Sequence, residues 1–158
     1  MMRMSEKLRK LWNEYQLDQL LTNIVLEPRL HDLIHAPFVR ESGCLLLQPL
    51  VTQATRPEAF PDLTGYEAFV NKVHIDDYVD VADNEQQRGL RVLVQQGAKS
   101  ATELAARLAS EGSYRVVMSL DIESLTLTLR FFERRAGEQW SADDPDAFQL
   151  EEVLMIDT

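Results

Sequence analysis

The residues best placed to do chemistry are His74 and the aspartates that follow it, Asp76, Asp77 and Asp80. A histidine and carboxylates this close in sequence have the donor types that hold a metal ion or transfer a proton. No distant histidine or cysteine motif completes such a site. We therefore favour a structural role, in which the aspartates accept hydrogen bonds from amides where a short helix begins. We predict no bound metal and no cofactor.

Other reactive side chains give no stronger signal. His31 and His35 lie four residues apart on a predicted helix, but two ligands do not make a metal site. Cys44 begins the apolar run 44–47, where we expect a small buried side chain, since a reactive thiolate needs an exposed, electropositive setting. The chain has no phosphate-binding glycine loop, no CxxC and no HExxH motif. These observations predict a protein that is not an enzyme.

The formal net charge of -10 is unevenly distributed. Residues 1–40 carry six Lys or Arg and five Asp or Glu, so the excess of acid lies in the rest of the chain. A field of this sign argues against binding nucleic acid, which needs clustered Lys and Arg. It is compatible with a basic protein partner, because complementary fields speed encounter, although many proteins are acidic for solubility alone.

The chain carries no signal for a membrane or for export. No stretch approaches the roughly 20 apolar residues that span a bilayer, and the first residues, MMRMSEKLRKLW, contain no apolar signal core. Cys44 is the single cysteine and therefore forms no internal disulfide. We expect one domain over residues 1–158 that acts in the cytoplasm without a membrane partner.

The stretch 114–132, YRVVMSLDIESLTLTLRFF, predicts a β-hairpin around which the rest of the chain is organised. In its second arm, apolar residues at 125, 127, 129 and 131 alternate with polar residues, so one face is apolar and the other wetter. The connector 121–124 has no glycine, so a four- or five-residue loop fits better than a tight turn. A hairpin is only marginally stable alone, and the other elements must cover it.

Helical spacing of apolar residues predicts a first helix over residues 5–15, which the pattern extends as far as Val25. Pro28 is well placed to open a second helix that ends before Pro37. Residues 37–63 give no readable pattern, and the run 44–47 fits either a helix or a strand.

Two candidate capping boxes lie further on, Thr64 with Glu67 and Ser100 with Glu103. The second also fits inside one longer helix that starts near Asn84, and residues 152–156 predict a last strand. The resulting fold class is α+β, with an antiparallel sheet built on the C-terminal hairpin and packed against N-terminal and central helices.

Two acidic runs would make an anionic recognition surface if the fold presents them on one side. The first contains Asp76, Asp77, Asp80, Asp83 and Glu85, and the second contains Asp143, Asp144 and Asp146. The second run lacks the glycine and the terminal glutamate of an EF-hand calcium loop. The simpler alternative for both runs is a solvated surface.

Two stretches resemble bacterial immunity proteins that accompany contact-dependent growth inhibition and related polymorphic toxins. The first, 131–156, has a strand, an R-x-G-E-x-W-like turn at 135–140, an acidic pair at 143–144 and an E-x-V-L-x-I strand at 151–156. The second is 71–78, NKVHIDDY. Ala136 stands where a proline is common in that pattern, and none of these motifs is catalytic.

The resemblance implies a cytoplasmic antidote that binds the C-terminal domain of one cognate toxin, often a basic nuclease, in a one-to-one complex. Trp140, beside the acidic pair, would be an anchor for that partner or a core residue, and we favour the core because a large aromatic next to a strand usually packs. Two alternatives stay open. One is an acidic secretion chaperone that binds an unfolded partner segment, and the other is a small metal-dependent enzyme using His74 and its neighbouring carboxylates.

Overall fold

The computed structural model describes residues 1–52, 55–80 and 86–158, and the architecture is α+β, as predicted. The described residues form seven strands: β1 (Met2–Met4), β2 (Phe38–Glu41), β3 (Cys44–Leu47), β4 (Val73–His74), β5 (Tyr114–Asp121), β6 (Thr126–Glu133) and β7 (Glu152–Asp157). They also form five α-helices: α1 (Glu6–Glu14), α2 (Leu17–Leu20), α3 (Pro28–Ile34), α4 (Leu63–Val70) and α5 (Gln86–Leu108). None of the described helices is both long enough and apolar enough to cross a membrane.

The predicted hairpin, β5 with β6, lies at the centre of a five-stranded antiparallel sheet with strand order β1-β7-β5-β6-β4. Tyr114 pairs with Glu133 at the open end, and Asp121 pairs with Thr126 at the closed end. The connection is therefore the four-residue loop 122–125, which confirms the expected loose turn. β7, the predicted last strand, pairs with the other edge of β5.

Helix α5 covers one face of this sheet, which we call the helix face. The alternate hairpin residues that point to it are at most 1% exposed: Val116, Met118, Leu120, Leu127, Leu129 and Phe131. A Cβ added to Gly97 of α5 would lie 2.7 Å from Cδ1 of Leu127 and 2.9 Å from Sδ of Met118. The sequence therefore has its smallest residue where the helix approaches the hairpin most closely.

A separate two-stranded sheet, β2 with β3, is joined to the main sheet by polar side chains of α4 and of the residue that ends it. Glu67, which is 0% exposed, accepts hydrogen bonds from the amides of Leu45 (2.7 Å) and Glu133 (2.7 Å). The side-chain amide of Asn71 donates to the carbonyls of Leu45 (2.9 Å) and Phe131 (3.3 Å). Two side chains one helical turn apart thus satisfy backbone groups of β3 and β6 that no strand pairs with.

Three local predictions need correction. The Thr64–Glu67 capping box is wrong, because α4 begins at Leu63, two residues earlier than that box requires, and its cap is Asp62, whose carboxylate accepts from the amide of Gly65 (2.7 Å). The Ser100–Glu103 box is wrong as well, since α5 runs unbroken through both residues, as the longer-helix alternative required. The first helix does not extend to Val25 in one piece, because Gln16 adopts a left-handed φ of 54° between α1 and α2.

Candidate protein-binding surface

The acidic loop, residues 141–146, lies before β7 and is held in place by its own carboxylates. Asp144 accepts a hydrogen bond from the amide of Asp146 (3.0 Å) and so closes the short turn at Pro145–Ala147. Asp146 in turn accepts from the amide of Glu6 (2.8 Å), the first residue of α1. One carboxylate thus orders the loop and the other attaches it to a helix N-terminus, where an anion is favoured.

Asp143 attaches the same loop to the sheet through Arg115 of β5. Its Oδ1 accepts from Nη1 of Arg115 at 2.6 Å. The arginine side chain is 5% exposed and the aspartate side chain 70% exposed, so a buried cation anchors a surface carboxylate. The hydrogen bond and the charge of Arg115 lower the pKa of Asp143. Arg115 also makes two hydrogen bonds to the carboxylate of Asp157, at 2.6 and 3.1 Å.

The turn at 135–140, which carries the R-x-G-E-x-W-like pattern, packs against the start of α4. Glu138 accepts hydrogen bonds from the amide (2.9 Å) and the hydroxyl (2.6 Å) of Thr64, and the hydroxyl bond lowers the pKa of Glu138. Arg135 donates to Glu67 (2.9 Å) and to the carbonyl of Gly43 (3.1 Å). The turn is therefore fixed to both sheets through α4 and the β2–β3 connection.

Trp140 ends this turn and is half-buried. Its ring lies 5.4 Å from the ring of Phe132, between centroids, and the guanidinium of Arg130 lies 5.0 Å from its centroid. It packs on a small core on the sheet face opposite α5, which we call the loop face. This packing agrees with the core interpretation of Trp140, and part of the ring stays accessible to a partner.

A cleft of about 580 Å³ lies beside the turn and the acidic loop. Three arginines line it, Arg115, Arg134 and Arg135, together with the carboxylates of Glu138 and Asp143. The lining has no histidine or cysteine. Mixed charges beside Trp140 suit contact with protein side chains better than capture of one small ion.

The first acidic run begins at the edge strand β4. Asp76 accepts a hydrogen bond from the amide of Leu127 (2.8 Å), so it stabilises an amide as expected, but that amide belongs to β6 and not to its own helical turn. Asp77 and Asp80 are exposed, and within the described part of the chain neither carboxylate forms a hydrogen bond or an ion pair. Asp83 and Glu85 lie outside the described residues.

Within the described residues, the side chains with metal-binding chemistry do not assemble a site. Across residues 1–52, 55–80 and 86–158, no three His, Cys, Asp or Glu are grouped closely enough to hold a metal ion. His31 and His35 do face the same way, with stacked rings 4.2 Å apart between centroids. Cys44 is 0% exposed, and burial, with the charge of Glu67, raises the pKa of its thiol to about 11.

The two acidic runs meet the central hairpin near its opposite ends. Asp143 contacts Arg115 near the open end, and Asp76 contacts Leu127, whose partner in β5 is Leu120, near the closed end. Five residues along a strand separate these points by roughly 16 Å. The runs are therefore two separate acidic segments on one structural unit. Sequence reasoning missed Arg115 and Asp157, because only the register of β5 with β7 brings them together.

Comparison with known proteins places the chain in a sequence family. A family model described as "Uncharacterized protein PM0498 family" matches residues 3–158, nearly the whole chain. No curated protein and no solved structure matches it.

Proposed function

The chain belongs to the Uncharacterized protein PM0498 family, and we propose that it is an immunity protein of a contact-dependent or related polymorphic toxin system. It binds the C-terminal domain of one cognate toxin in the cytoplasm, in a one-to-one complex, and neutralises it without catalysis. The proposal rests on one observation, which is the way the fold holds the acidic loop.

The acidic loop is ordered before any partner arrives. Asp143, Asp144 and Asp146 each accept a hydrogen bond from the chain itself, and all three residues are exposed. Their carboxylates are therefore presented in fixed positions while still facing solvent. A preorganised surface loses less conformational entropy on association than a mobile loop, and this favours tight binding.

The charge of the chain fits a basic toxin domain. The net charge is -10, and the exposed carboxylates of Asp77 and Asp80 have no partner among the described residues. Opposite charge steers a basic partner and raises the association rate. An interface of about 800 Å² per partner is roughly 30 Å across, which is wide enough to include the acidic loop and the turn at 135–140, since residues of both line one cleft.

The turn at 135–140 adds a second line of support, because its sequence resembles the corresponding turn of immunity proteins. Here that turn forms one wall of the cleft and carries Trp140 beside the acidic loop. A partly accessible tryptophan next to fixed charges is typical of an interface, in which an aromatic anchor is buried and the charges select the partner.

The test is co-purification of the chain with the protein encoded directly upstream, followed by assay of that protein's C-terminal domain for toxic or nuclease activity. We expect a tight one-to-one complex and loss of that activity. The double variant Asp144→Asn with Asp146→Asn keeps both oxygen acceptors and removes both charges. We expect its association rate to fall about 3- to 10-fold at low salt, with a smaller difference at high salt.

The matched control is Glu14→Gln with Asp32→Asn, which removes two exposed charges from α1 and α3. Its association rate should stay within about twofold of the wild-type rate, because the net charge changes equally but away from the loop. Equal rates for the two double variants would remove the acidic loop from the interface. Failure of the wild-type chain to bind, or binding only to an unfolded segment as a secretion chaperone does, would overturn the proposed function.

A further inference from the structure

A third surface feature, on α4, was not predicted from the sequence. Phe69 is 52% exposed, and it is the single aromatic side chain of the described residues that is mostly open to solvent. One exposed apolar residue is ordinary on a protein surface. Its surroundings make this one unusual, because Phe69 belongs to a group of three rings.

The three rings, Phe60, Tyr66 and Phe69, form what we call the aromatic patch. The ring of Phe60 lies 5.2 Å from that of Phe69 and 5.6 Å from that of Tyr66, between centroids. Tyr66 is 4% exposed and belongs to the small core under β3, so Phe69 rests, through Phe60, on a fixed base. Phe60 itself lies between Pro57 and Pro61, which restrict the backbone that carries it.

Two exposed carboxylates, those of Glu41 and Glu58, lie near the buried base of the aromatic patch. Burial raises the pKa of Tyr66, and the charges of Glu41 and Glu58 raise it further, which places both acids within electrostatic reach of the phenol. Asp62 caps the helix that carries Phe69. Residues 57–71 contain no lysine or arginine, and Arg56 and Lys72 lie directly outside that segment.

We infer that the aromatic patch is a second anchor, besides Trp140, for the basic toxin domain of the proposed function, and the inference rests on that function. An arginine or lysine of the partner packs on the exposed face of Phe69, where the ring attracts a cation. Glu41 and Glu58 then pair with neighbouring positive charges. A rigid aromatic group that loses its water on binding, with acids near it, has the composition of an interface hot spot.

A second copy of this chain is a poorer occupant. A twofold interface places the same patch on both subunits, so Glu41 and Glu58 of one copy would face the same acids of the other. Like charges brought together across an interface disfavour association. The net charge of -10 on each copy opposes pairing in the same way.

The test compares Phe69→Ala and Phe69→Arg with Val25→Ala, which truncates another exposed apolar residue, 84% exposed, outside the patch. The probe is the inactive C-terminal domain of the protein encoded directly upstream. We expect Phe69→Ala to weaken binding at least about 10-fold, mainly by faster dissociation, and Phe69→Arg to weaken it about 100-fold. Val25→Ala should bind as the wild type does. Melting temperatures of all variants should stay within about 3 °C of wild type, because the altered side chains are exposed.

The outcomes separate the two proposals. If the wild-type chain binds and neutralises the toxin domain and Phe69→Ala does so equally well, the aromatic patch is not an anchor and the proposed function stands. If the wild-type chain does not bind that domain, the proposed function fails and the patch inference fails with it. If light scattering shows a wild-type dimer that Phe69→Arg converts to a monomer, the patch joins two copies and the inference is overturned.

Discussion

The two faces of the five-stranded sheet are covered by different means. On the helix face, α5 packs along a continuous apolar surface from β5 and β6, and Gly97 permits the close approach. On the loop face, the apolar core is small and contains Ala68, Val117, Phe132, Val153 and Met155. The rest of that face is polar: buried Arg115 and its partner Asp157 lie beneath the acidic loop.

The difference indicates a division of labour between the faces. Burial of apolar area is the main source of folding free energy, and the helix face has most of it. The loop face uses ion pairs and caps, which contribute little net stability when they are exposed but fix side chains in specific positions. The helix face therefore supports the fold, and the loop face presents the groups proposed to recognise a partner.

The largest effect is expected from a substitution that disrupts packing on the helix face. Leu127→Asp places a carboxylate at a fully buried position opposite α5. The free energy needed to bury an unpaired charge exceeds the total folding stability of a typical domain. We expect loss of the cooperative thermal transition, followed by circular dichroism.

The control is Thr128→Asp, one residue along β6 and on the opposite, half-buried side. It should retain a cooperative transition, because its side chain is partly in water. A cooperative, undiminished melt of Leu127→Asp would refute the central position of the hairpin.

The second prediction concerns a substitution that removes one member of the buried ion pair on the loop face. Asp157→Ala leaves the guanidinium of Arg115, 5% exposed, with Asp143 as its remaining carboxylate partner among the described residues. Removing one member of a buried pair costs about 3–5 kcal/mol, and we expect about 3 kcal/mol in chemical denaturation because Asp143 remains. Arg115→Ala combined with Asp157→Ala should cost less than the sum of the single variants, since neither member of the pair is left without the other. Strict additivity would contradict this account of the pair.

Elements that depend on contacts between neighbouring residues could be predicted from the sequence, and elements that depend on contacts between distant parts of the chain could not. The hairpin and α5 show in local periodicity, since each buries one face along its own length. β2 and β3 do not, because the run 44–47 becomes a strand through pairing with residues 38–41 and through hydrogen bonds to Glu67 of α4 and to Asn71, its C-cap. Strand β1 has three residues and exists only by pairing with β7 at the other end of the chain.

The candidate site shows the same limit. The density of acidic residues located both acidic segments, and the spacing of Thr64 and Glu67 placed the cap of α4 two residues too late. No local pattern indicates that Asp143 binds an arginine 28 positions away or that Asp146 caps α1, 140 positions away. Both contacts depend on the strand register. Phe69 was missed because an aromatic residue in an apolar helix is expected to be buried.

The smallest expected effect compares the acidic loop, whose stability should change in acid, with the helix-side core, whose stability should not. Asp143→Asn keeps an oxygen beside Arg115 and removes the charge that the arginine stabilises. The hydrogen bond and charge of Arg115 lower the pKa of Asp143 in the folded state. A lowered pKa contributes stability above the unfolded value, about 3.9 for aspartate, and that contribution is lost as pH falls through the folded value. Wild type should therefore be slightly more stable than Asp143→Asn in urea at pH 7, with the difference shrinking between about pH 5 and pH 3.

The control is Ile34→Val, in the helix-side core. It should cost about 1 kcal/mol at every pH, because it removes a methylene and no titrating group. A difference for Asp143→Asn that is equally independent of pH would mean that the acidic loop is not held by the charge of Arg115.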